Sequence, residues 1–90
     1  MKVKDPDTRE ELKKRLRRIA GQVRGVEKMI DDDRDCRELL QQMTAIRAAV
    51  QQASHLVMHS YACQRLQEPG EGESQQDIVE DLISVVSKVH

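Results

Sequence analysis

The chain has almost no aromatic side chains. It contains no tryptophan and no phenylalanine, and Tyr61 is its single aromatic residue. A core of leucine, isoleucine, valine, alanine and methionine suits helices that pack on helices. In 90 residues that core is small, because a chain of this size buries only roughly 60–65% of the surface that its unfolded form exposes. The composition therefore predicts an oligomer, in which a second copy supplies the missing burial.

Cysteines and long apolar runs are also scarce. Cys36 and Cys63 are too few for a disulfide scaffold. No apolar run approaches the ~18 residues that span a bilayer, and no signal-peptide segment opens the chain. The sequence also lacks a glycine-rich phosphate loop, a paired carboxylate in an apolar setting and a nucleophile motif. These absences predict a cytoplasmic protein with reduced thiols, no membrane partner and no enzymatic activity.

Charge is divided unevenly along the chain. Residues 1–30 contain ten Lys or Arg and five Asp or Glu, whereas residues 31–90 contain five and eleven, so the net charges are +5 and −6. A basic first third is typical of a chain that binds a polyanion. A solvated helix face explains the same charges, and nothing resembles a helix-turn-helix. The basic run consists of Lys13, Lys14, Arg15, Arg17, Arg18, Arg24 and Lys28.

Apolar periodicity predicts an all-α chain of three helices. Apolar residues recur at steps of three and four over about residues 8–30, 36–67 and 74–89. A capping pair, in which an acidic residue follows Ser, Thr or Asp after three positions, stands at the start of each helix. These pairs are Thr8 with Glu11, Asp35 with Glu38, and Ser74 with Asp77. A glycine-containing linker, residues 68–73, ends the second helix, and the whole chain forms one domain, residues 1–90.

One stretch of the sequence is distinctive. It contains Arg15-Leu16-Arg17-Arg18-Ile19-Ala20-Gly21-Gln22-Val23-Arg24-Gly25-Val26, then Arg34-Asp35-Cys36, then Leu40-Gln41-Gln42-Met43-Thr44-Ala45-Ile46-Arg47-Ala48-Ala49. Over residues 8–89 the chain resembles the copper-sensing operon repressor family, which also includes nickel/cobalt, formaldehyde and persulfide sensors. The resemblance implies that the first two helices pair into an antiparallel four-helix-bundle dimer, commonly in a dimer of dimers. It also implies a transcriptional repressor that binds double-stranded operator DNA.

The resemblance implies DNA contacts from the first two helices. They are chiefly Arg15, Arg18 and Arg47, with Gln22 as a polar contact and Lys14 and Arg17 in the same basic run. Phosphate contacts of this kind predict an affinity that falls steeply with salt. A helical protein-interaction module without DNA binding is an alternative, and it predicts no salt-dependent DNA complex.

The resemblance also implies a sensor site between subunits. Metal sensors of the family combine a cysteine at the start of the second helix with a His-x-x-x-Cys or His-x-x-x-His pair from the partner's second helix. Cys36, His59 and Cys63 match those residue types, and two thiolates with one imidazole suit Cu(I) better than Mg(II) or Ca(II). The spacing differs, because the family pattern places the pair two residues later, where this chain has Tyr61 and Arg65.

Two residues rotate a helix by about 200°, so His59 and Cys63 are expected to point away from the apolar face. Three interpretations stay open. In the first, the helix bends or shifts so that both residues and Cys36 bind a metal ion. In the second, no metal binds, and Cys36, beside Arg65 of a second subunit, senses persulfide, electrophile or oxidant, with Cys63 as a disulfide partner. In the third, Cys36 is a buried small side chain, and Cys63 and the histidines are incidental surface residues. His55, four residues before His59, adds the option of an outward-facing metal ladder.

Overall fold

The chain folds into three successive helices. The computed structural model describes residues 1–89, with the side chains of residues 1–88. The helices are α1 (Pro6–Asp31), α2 (Cys36–Gln67) and α3 (Gln75–Val89), and the described residues include no strand. A short turn makes α1 and α2 an antiparallel hairpin, and α3 packs on α2. The predicted all-α fold is confirmed; the predicted domain also includes His90, which lies outside the described residues.

α1 begins before its predicted cap. Asp5 is the N-cap, and its carboxylate accepts hydrogen bonds from the hydroxyl and the backbone N–H of Thr8, at 2.7 and 3.1 Å. These bonds lower the pKa of Asp5. Pro6 follows in the first turn, where its missing N–H removes no helical hydrogen bond. The prediction of Thr8 as the cap is wrong, because the aspartate three residues earlier satisfies the same N-terminal donors.

The turn between α1 and α2 is closed by backbone hydrogen bonds. Asp33 has a φ of 56°, and the Arg34 N–H donates to the Met29 carbonyl at 3.0 Å. This is a Schellman arrangement with an aspartate in the left-handed position that glycine usually takes. Asp35 then caps α2 as predicted, since its carboxylate accepts from a backbone N–H of the first turn at 3.2 Å.

The apolar stripe of each long helix divides into two rows. One row faces the other helix of the hairpin and is half-buried or buried: Leu12, Ile19 and Val26 on α1, and Leu39, Ile46 and Ala53 on α2. The second row repeats every seven residues and is 40–57% exposed: Leu16, Val23 and Ile30 on α1, and Met43, Val50 and Val57 on α2. Val23 and Met43 line one shallow groove, so both exposed rows lie on the same side of the hairpin. These six exposed side chains form the apolar face.

The isolated chain has almost no interior. Among the described side chains, only Ala53 and Ile78 are buried apolar residues. The molecule measures 59 × 26 × 12 Å, and its radius of gyration of 17.6 Å exceeds the ~12 Å expected of a compact chain of this length. A hairpin this flat leaves the apolar face uncovered. None of the described helices combines the length and the apolar character that crossing a lipid bilayer requires.

α3 has the predicted cap, and its apolar residues differ in their exposure to solvent. The Ser74 N–H donates to the Asp77 carboxylate at 3.0 Å, and the Asp77 N–H donates to the Ser74 hydroxyl at 3.2 Å. Ile78 is buried against the rest of the chain. Val86, which the periodicity assigns to the same stripe, is exposed, and the side chain of Val89 lies outside the described residues.

Candidate functional site

The candidate sensor residues lie at opposite ends of α2. Cys36 is the first residue of the helix and is exposed, whereas His59 and Cys63 lie near its other end. At 1.5 Å per residue, the two cysteines are about 40 Å apart along the helix axis. Cys36 therefore cannot share a ligand with Cys63 of its own chain, and any site that uses both has to be built between chains.

His59 and Cys63 form a close pair. The Cys63 sulfur lies 3.9 Å from Nδ1 and 4.0 Å from Nε2 of His59, because side chains four residues apart stack on one face of a helix. Cys63 is half-buried and His59 is exposed. The described residues include no group of three or more His, Cys, Asp or Glu that could hold a metal ion, so His55 does not extend the pair into a three-donor ladder. One chain supplies two soft donors here.

The His59–Cys63 pair lines a groove of about 310 Å³ between α2 and the start of α1. The opposite wall includes Lys4, the N-cap Asp5 and Thr8. Cys63 thus faces the N-terminus of the helix that carries the basic run. The groove is wide enough for an ion or a small group attached to the sulfur.

Tyr61 and Arg65 lie on the opposite flank of α2 and hold α3. The Tyr61 hydroxyl donates to the Asp81 carboxylate at 2.5 Å, and Arg65 Nε donates to the same carboxylate at 2.9 Å. The guanidinium also makes paired hydrogen bonds to the Glu73 carboxylate at 2.5 and 2.6 Å. Charged, bidentate contacts of this kind are among the strong hydrogen bonds of proteins. Tyr61, Arg65, Glu73 and Asp81 form the α3 clamp.

The clamp matches one guanidinium with two carboxylates. Hydrogen bonds from Arg65 and from the Gly70 N–H lower the pKa of Glu73 to about 2. Hydrogen bonds from Tyr61 and Arg65 lower the pKa of Asp81, and the same Asp81 contact raises the pKa of Tyr61. The pKa of Arg65 is raised by Glu73 and then by Asp81. The charge of Arg65 is therefore already neutralised within its own chain, which weakens its expected role in activating a cysteine of another subunit.

Rotation about the α2 axis places Cys36 and the clamp on one side of the helix and the His59–Cys63 pair on the other. α2 is one uninterrupted helix, with no break that would shift its register. Measured from the buried Ala53, Cys36 and Tyr61 fall roughly 100° and 80° to one side. His59 and Cys63 fall roughly 120° and 80° to the other side. Cys36 therefore shares its side with the clamp and the apolar face, and the His59–Cys63 pair lies on the other side of this continuous helix.

The predicted DNA contacts lie on two sides of the hairpin. Arg15, Arg18 and Gln22 follow one edge of α1, at helical spacings of three and four. Arg47 lies on the other side of the hairpin, where it borders the groove lined by Val23. A single chain therefore does not unite all the predicted contacts in one surface.

The individual environments of these contacts differ. Four of them are exposed to solvent: Lys14, Arg17, Arg18 and Arg47. Arg15 is half-buried, and its Nε lies 3.1 Å from the Glu11 carboxylate. The side-chain oxygen of Gln22 is buried and has no hydrogen-bond partner among the described residues. α1 thus presents exposed cations beside Lys13 and Arg15, which are paired with Glu10 and Glu11.

Two parts of this region were missed by sequence reasoning. The carboxylates of the clamp come from the linker and from α3, and no local pattern links Glu73 or Asp81 to Arg65. Lys4 and Asp5 precede the predicted helix, so nothing placed them beside Cys63. The one available signal was the Asp-Pro dipeptide before α1, since Pro is common in the first turn of a helix and Asp is a frequent N-cap.

Known proteins with similar sequences and structures are metal-responsive regulators. A family model described as "Metal-sensitive transcriptional repressor" matches residues 8–88. The copper-sensing transcriptional repressor CsoR of Bacillus subtilis is 39% identical over 62 residues, which cover 67% of this chain and 61% of that protein. The chain thus spans less than two thirds of that relative's length.

Two solved structures share the fold. The copper-sensing repressor CsoR with Cu(I) from Geobacillus thermodenitrificans NG80-2 is 32% identical, with a TM-score of 0.75 over 98% of this chain and 92% of that one. The nickel-responsive transcriptional regulator InrS has a TM-score of 0.79 and covers 100% of this chain and 98% of its own. At 22% identity, this second likeness concerns the fold alone.

Proposed function

Because the chain belongs to the metal-sensitive transcriptional repressor family, we propose that it binds operator DNA as an oligomer and releases it when a soft metal ion binds. Cu(I) is the favoured ion, since thiolate and imidazole donors suit a soft cation. The copper-sensing relatives support the same ion. The proposed location is the cytoplasm, where thiols stay reduced.

The uncovered apolar face supports the oligomer. Removing apolar surface from water stabilises an assembly by roughly 25 cal/mol per Å². We place a second hairpin on this face, which gives an antiparallel four-helix bundle with an interior that one chain lacks. In such a dimer the start of each α2 meets the far end of its partner, so Cys36 approaches the clamp of the other subunit. The His59–Cys63 pair stays on the outer flank, available to a second dimer.

The His59–Cys63 pair carries the metal proposal. Its sulfur and ring nitrogens are only 3.9–4.0 Å apart, so modest side-chain rotations aim both donors at one ion. The third donor is Cys36 of another subunit in a dimer of dimers. Thiolate and imidazole are the donors that select a soft ion over Mg(II) or Ca(II).

The exposed cations of α1 support the DNA proposal. Arg18, with its neighbours in the basic run, offers phosphate contacts, and Arg47 of an adjacent subunit extends the surface across the assembly. Contacts with phosphates position a protein on DNA and dominate its affinity. A change in how the subunits pack alters the spacing of these cations, which couples the sensor to the DNA.

A Cu(I) titration tests the metal proposal. Cu(I) is added anaerobically in competition with a chromophoric chelator, and DNA release is followed by the fluorescence anisotropy of labelled promoter DNA. We expect His59→Ala and Cys63→Ser each to weaken Cu(I) binding by about tenfold or more, which corresponds to the loss of one donor. His55→Ala is the matched control, because it removes an exposed imidazole one turn away. Unchanged affinity in both His59→Ala and Cys63→Ser would exclude this metal site.

A thiol sensor at Cys36 is the second candidate. It is favoured by the position of Cys36, which is exposed and lies on the opposite side of α2 from the His59–Cys63 pair. A persulfide transfers its outer sulfur to the Cys36 thiolate, or an oxidant converts it to a sulfenic acid; the Cys63 thiolate of another subunit then forms the disulfide and releases hydrosulfide or water. An electrophile instead forms an adduct with Cys36. Cys36→Ser separates the candidates: the metal proposal predicts weaker Cu(I) binding, whereas the thiol proposal predicts that only the response to a persulfide donor is lost.

A further inference from the structure

The first five residues cross the end of α2. Gln64 Nε2 donates to the Lys2 carbonyl at 2.6 Å. Lys4 Nζ contacts both oxygens of the Glu68 carboxylate, at 2.9 and 3.3 Å. Residues 1–5 therefore form a strap that ties the start of α1 to the last turns of α2. The contact joins segments more than sixty positions apart in the sequence.

The strap touches a different cluster on each flank of α2. On one flank the N-cap Asp5 faces His59 and Cys63 across the groove. On the other flank residues 1–3 share a smaller cavity of about 50 Å³ with Tyr61 of the clamp. Any group attached to the Cys63 sulfur in this groove lies beside the strap and the first turn of α1, as well as beside the last turns of α2.

The side-chain contacts of the strap are exposed to solvent and are easily replaced by contacts with water. The side chains of Lys4 and Glu68 are each 59% exposed. An ion pair this exposed changes an equilibrium by at most about fivefold, because water competes for both charges. The N-cap is the more consequential neighbour, since Asp5 satisfies the N–H of Thr8 and fixes where α1 begins.

We infer that the strap transmits the state of the His59–Cys63 pair to α1, the helix that carries the basic run. This inference rests on the proposed function, because it treats the pair as the ligand site. A metal ion on the pair repels the Lys4 ammonium and attracts the Asp5 carboxylate away from Thr8, whereas a group attached to Cys63 displaces both side chains by occupying the groove. Either change loosens the first turn of α1. Arg15 lies about 15 Å further along the same helix. By linkage, a weakened strap also changes the affinity of the pair for its ligand.

Hydrogen–deuterium exchange of the full chain reads this coupling directly. Cu(I) is the first probe. The second is a methylthio group placed on Cys63 by methyl methanethiosulfonate in the Cys36→Ser variant, and it requires no affinity for metal. We expect both probes to accelerate exchange of the backbone amides of residues 7–9, which follow Pro6 in the first turn of α1, severalfold. The turn at residues 32–35 serves as the internal reference and should not change.

Two lysine variants test whether the strap carries the coupling between the His59–Cys63 pair and α1. Lys4→Gln should reduce the effect of either probe by up to about fivefold, the most that an exposed ion pair contributes. Lys2→Gln is the matched control, because it removes the same charge from a strap side chain that makes no ion pair among the described residues. If Lys4→Gln and Lys2→Gln responded equally, the strap would not be the transmitting element.

The outcomes separate this inference from the proposed function. If Cu(I) fails to bind but the methylthio group still accelerates exchange in the first turn of α1, the metal proposal is wrong and the strap inference stands. If mass spectrometry shows complete modification of Cys63 and exchange of the amides of residues 7–9 is unchanged, the strap inference is wrong, whatever Cu(I) does.

Discussion

The two flanks of α2 near its C-terminal end make different contacts. On one flank, Tyr61 and Arg65 are joined to α3 by short, charged hydrogen bonds. On the other, His59 and Cys63 face a groove and a strap held by exposed side chains. The flank that shares its side with Cys36 joins α2 to α3, and the opposite flank lines the groove beside the strap. Two positions along a helix correspond to a rotation of about 200°, which is enough to move a side chain from one flank of α2 to the other.

The largest expected effect tests whether DNA is bound by α1, apart from both flanks of α2. Arg15→Ala combined with Arg18→Ala should weaken promoter binding by roughly a hundredfold and lower the slope of log affinity against log salt by about two, because two phosphate contacts are lost. Cu(I) affinity should not change, since both side chains lie on α1. Fluorescence anisotropy at several salt concentrations measures both quantities. Binding that is retained contradicts this DNA face, and the absence of any salt-dependent complex favours the protein-interaction module.

The next largest effect concerns the clamp flank. Arg65→Leu leaves the carboxylates of Glu73 and Asp81 without their guanidinium, so α3 should detach and its amides should exchange on the order of ten times faster. Arg37→Leu is the matched control, because Arg37 is an exposed α2 arginine with no ion pair among the described residues. Hydrogen–deuterium exchange resolved over residues 75–88 gives the comparison. An α3 that stays protected in Arg65→Leu would show that the apolar contacts of Ile78 suffice.

The clamp also predicts a dependence on acid. The pKa of Glu73 is lowered from 4.5 to about 2 and that of Asp81 is lowered as well. Both carboxylates therefore stabilise the docked α3 at pH values above about 4.5, and this stabilisation is lost as the pH falls towards 2. Carboxyl-carbon NMR titration follows each group, and Glu73→Gln should remove most of the change. A Glu73 carboxyl that titrates at its ordinary value would contradict the clamp.

The smallest expected effect comes from one hydroxyl group. Tyr61→Phe removes the hydrogen bond to Asp81 and keeps the ring, so exchange across α3 should rise about two- to threefold. The pKa of Asp81 should move up towards its ordinary value, because the Tyr61 hydroxyl is the largest cause of its lowering. Cu(I) binding should be unaffected, since Tyr61 lies on the other flank from the His59–Cys63 pair. A loss of Cu(I) affinity in Tyr61→Phe would show that the two flanks are not independent.

Periodicity was sufficient to predict the helices, because the apolar stripes are long and regular. It also predicted that His59 and Cys63 point away from Tyr61, and the rotation of a continuous α2 gives that result. The prediction that the chain is not an enzyme is confirmed by its membership of a repressor family. The sequence did not reveal which stripe residues would stay exposed, since that depends on how the hairpin closes.

The remaining features depend on contacts between distant parts of the chain. Glu73 reaches Arg65 only after the linker folds back, and Lys4 reaches Glu68 only after the hairpin forms. Neither contact can be predicted from the periodicity of apolar residues in the sequence. In the proposed oligomer the surroundings of Cys36 include a second chain, so its environment stays a prediction.

Because one chain buries so few side chains, its folding affects how oligomers of two different chains form. A hairpin whose long helices bury only Ala53 has little to keep it folded once its neighbour leaves. In the proposed dimer, subunit exchange therefore requires near-complete unfolding and becomes slow, so partners are chosen when chains are synthesised. Two similar repressors in one cell would form hybrids chiefly when they are translated together, and the melting temperature of either would rise with its concentration.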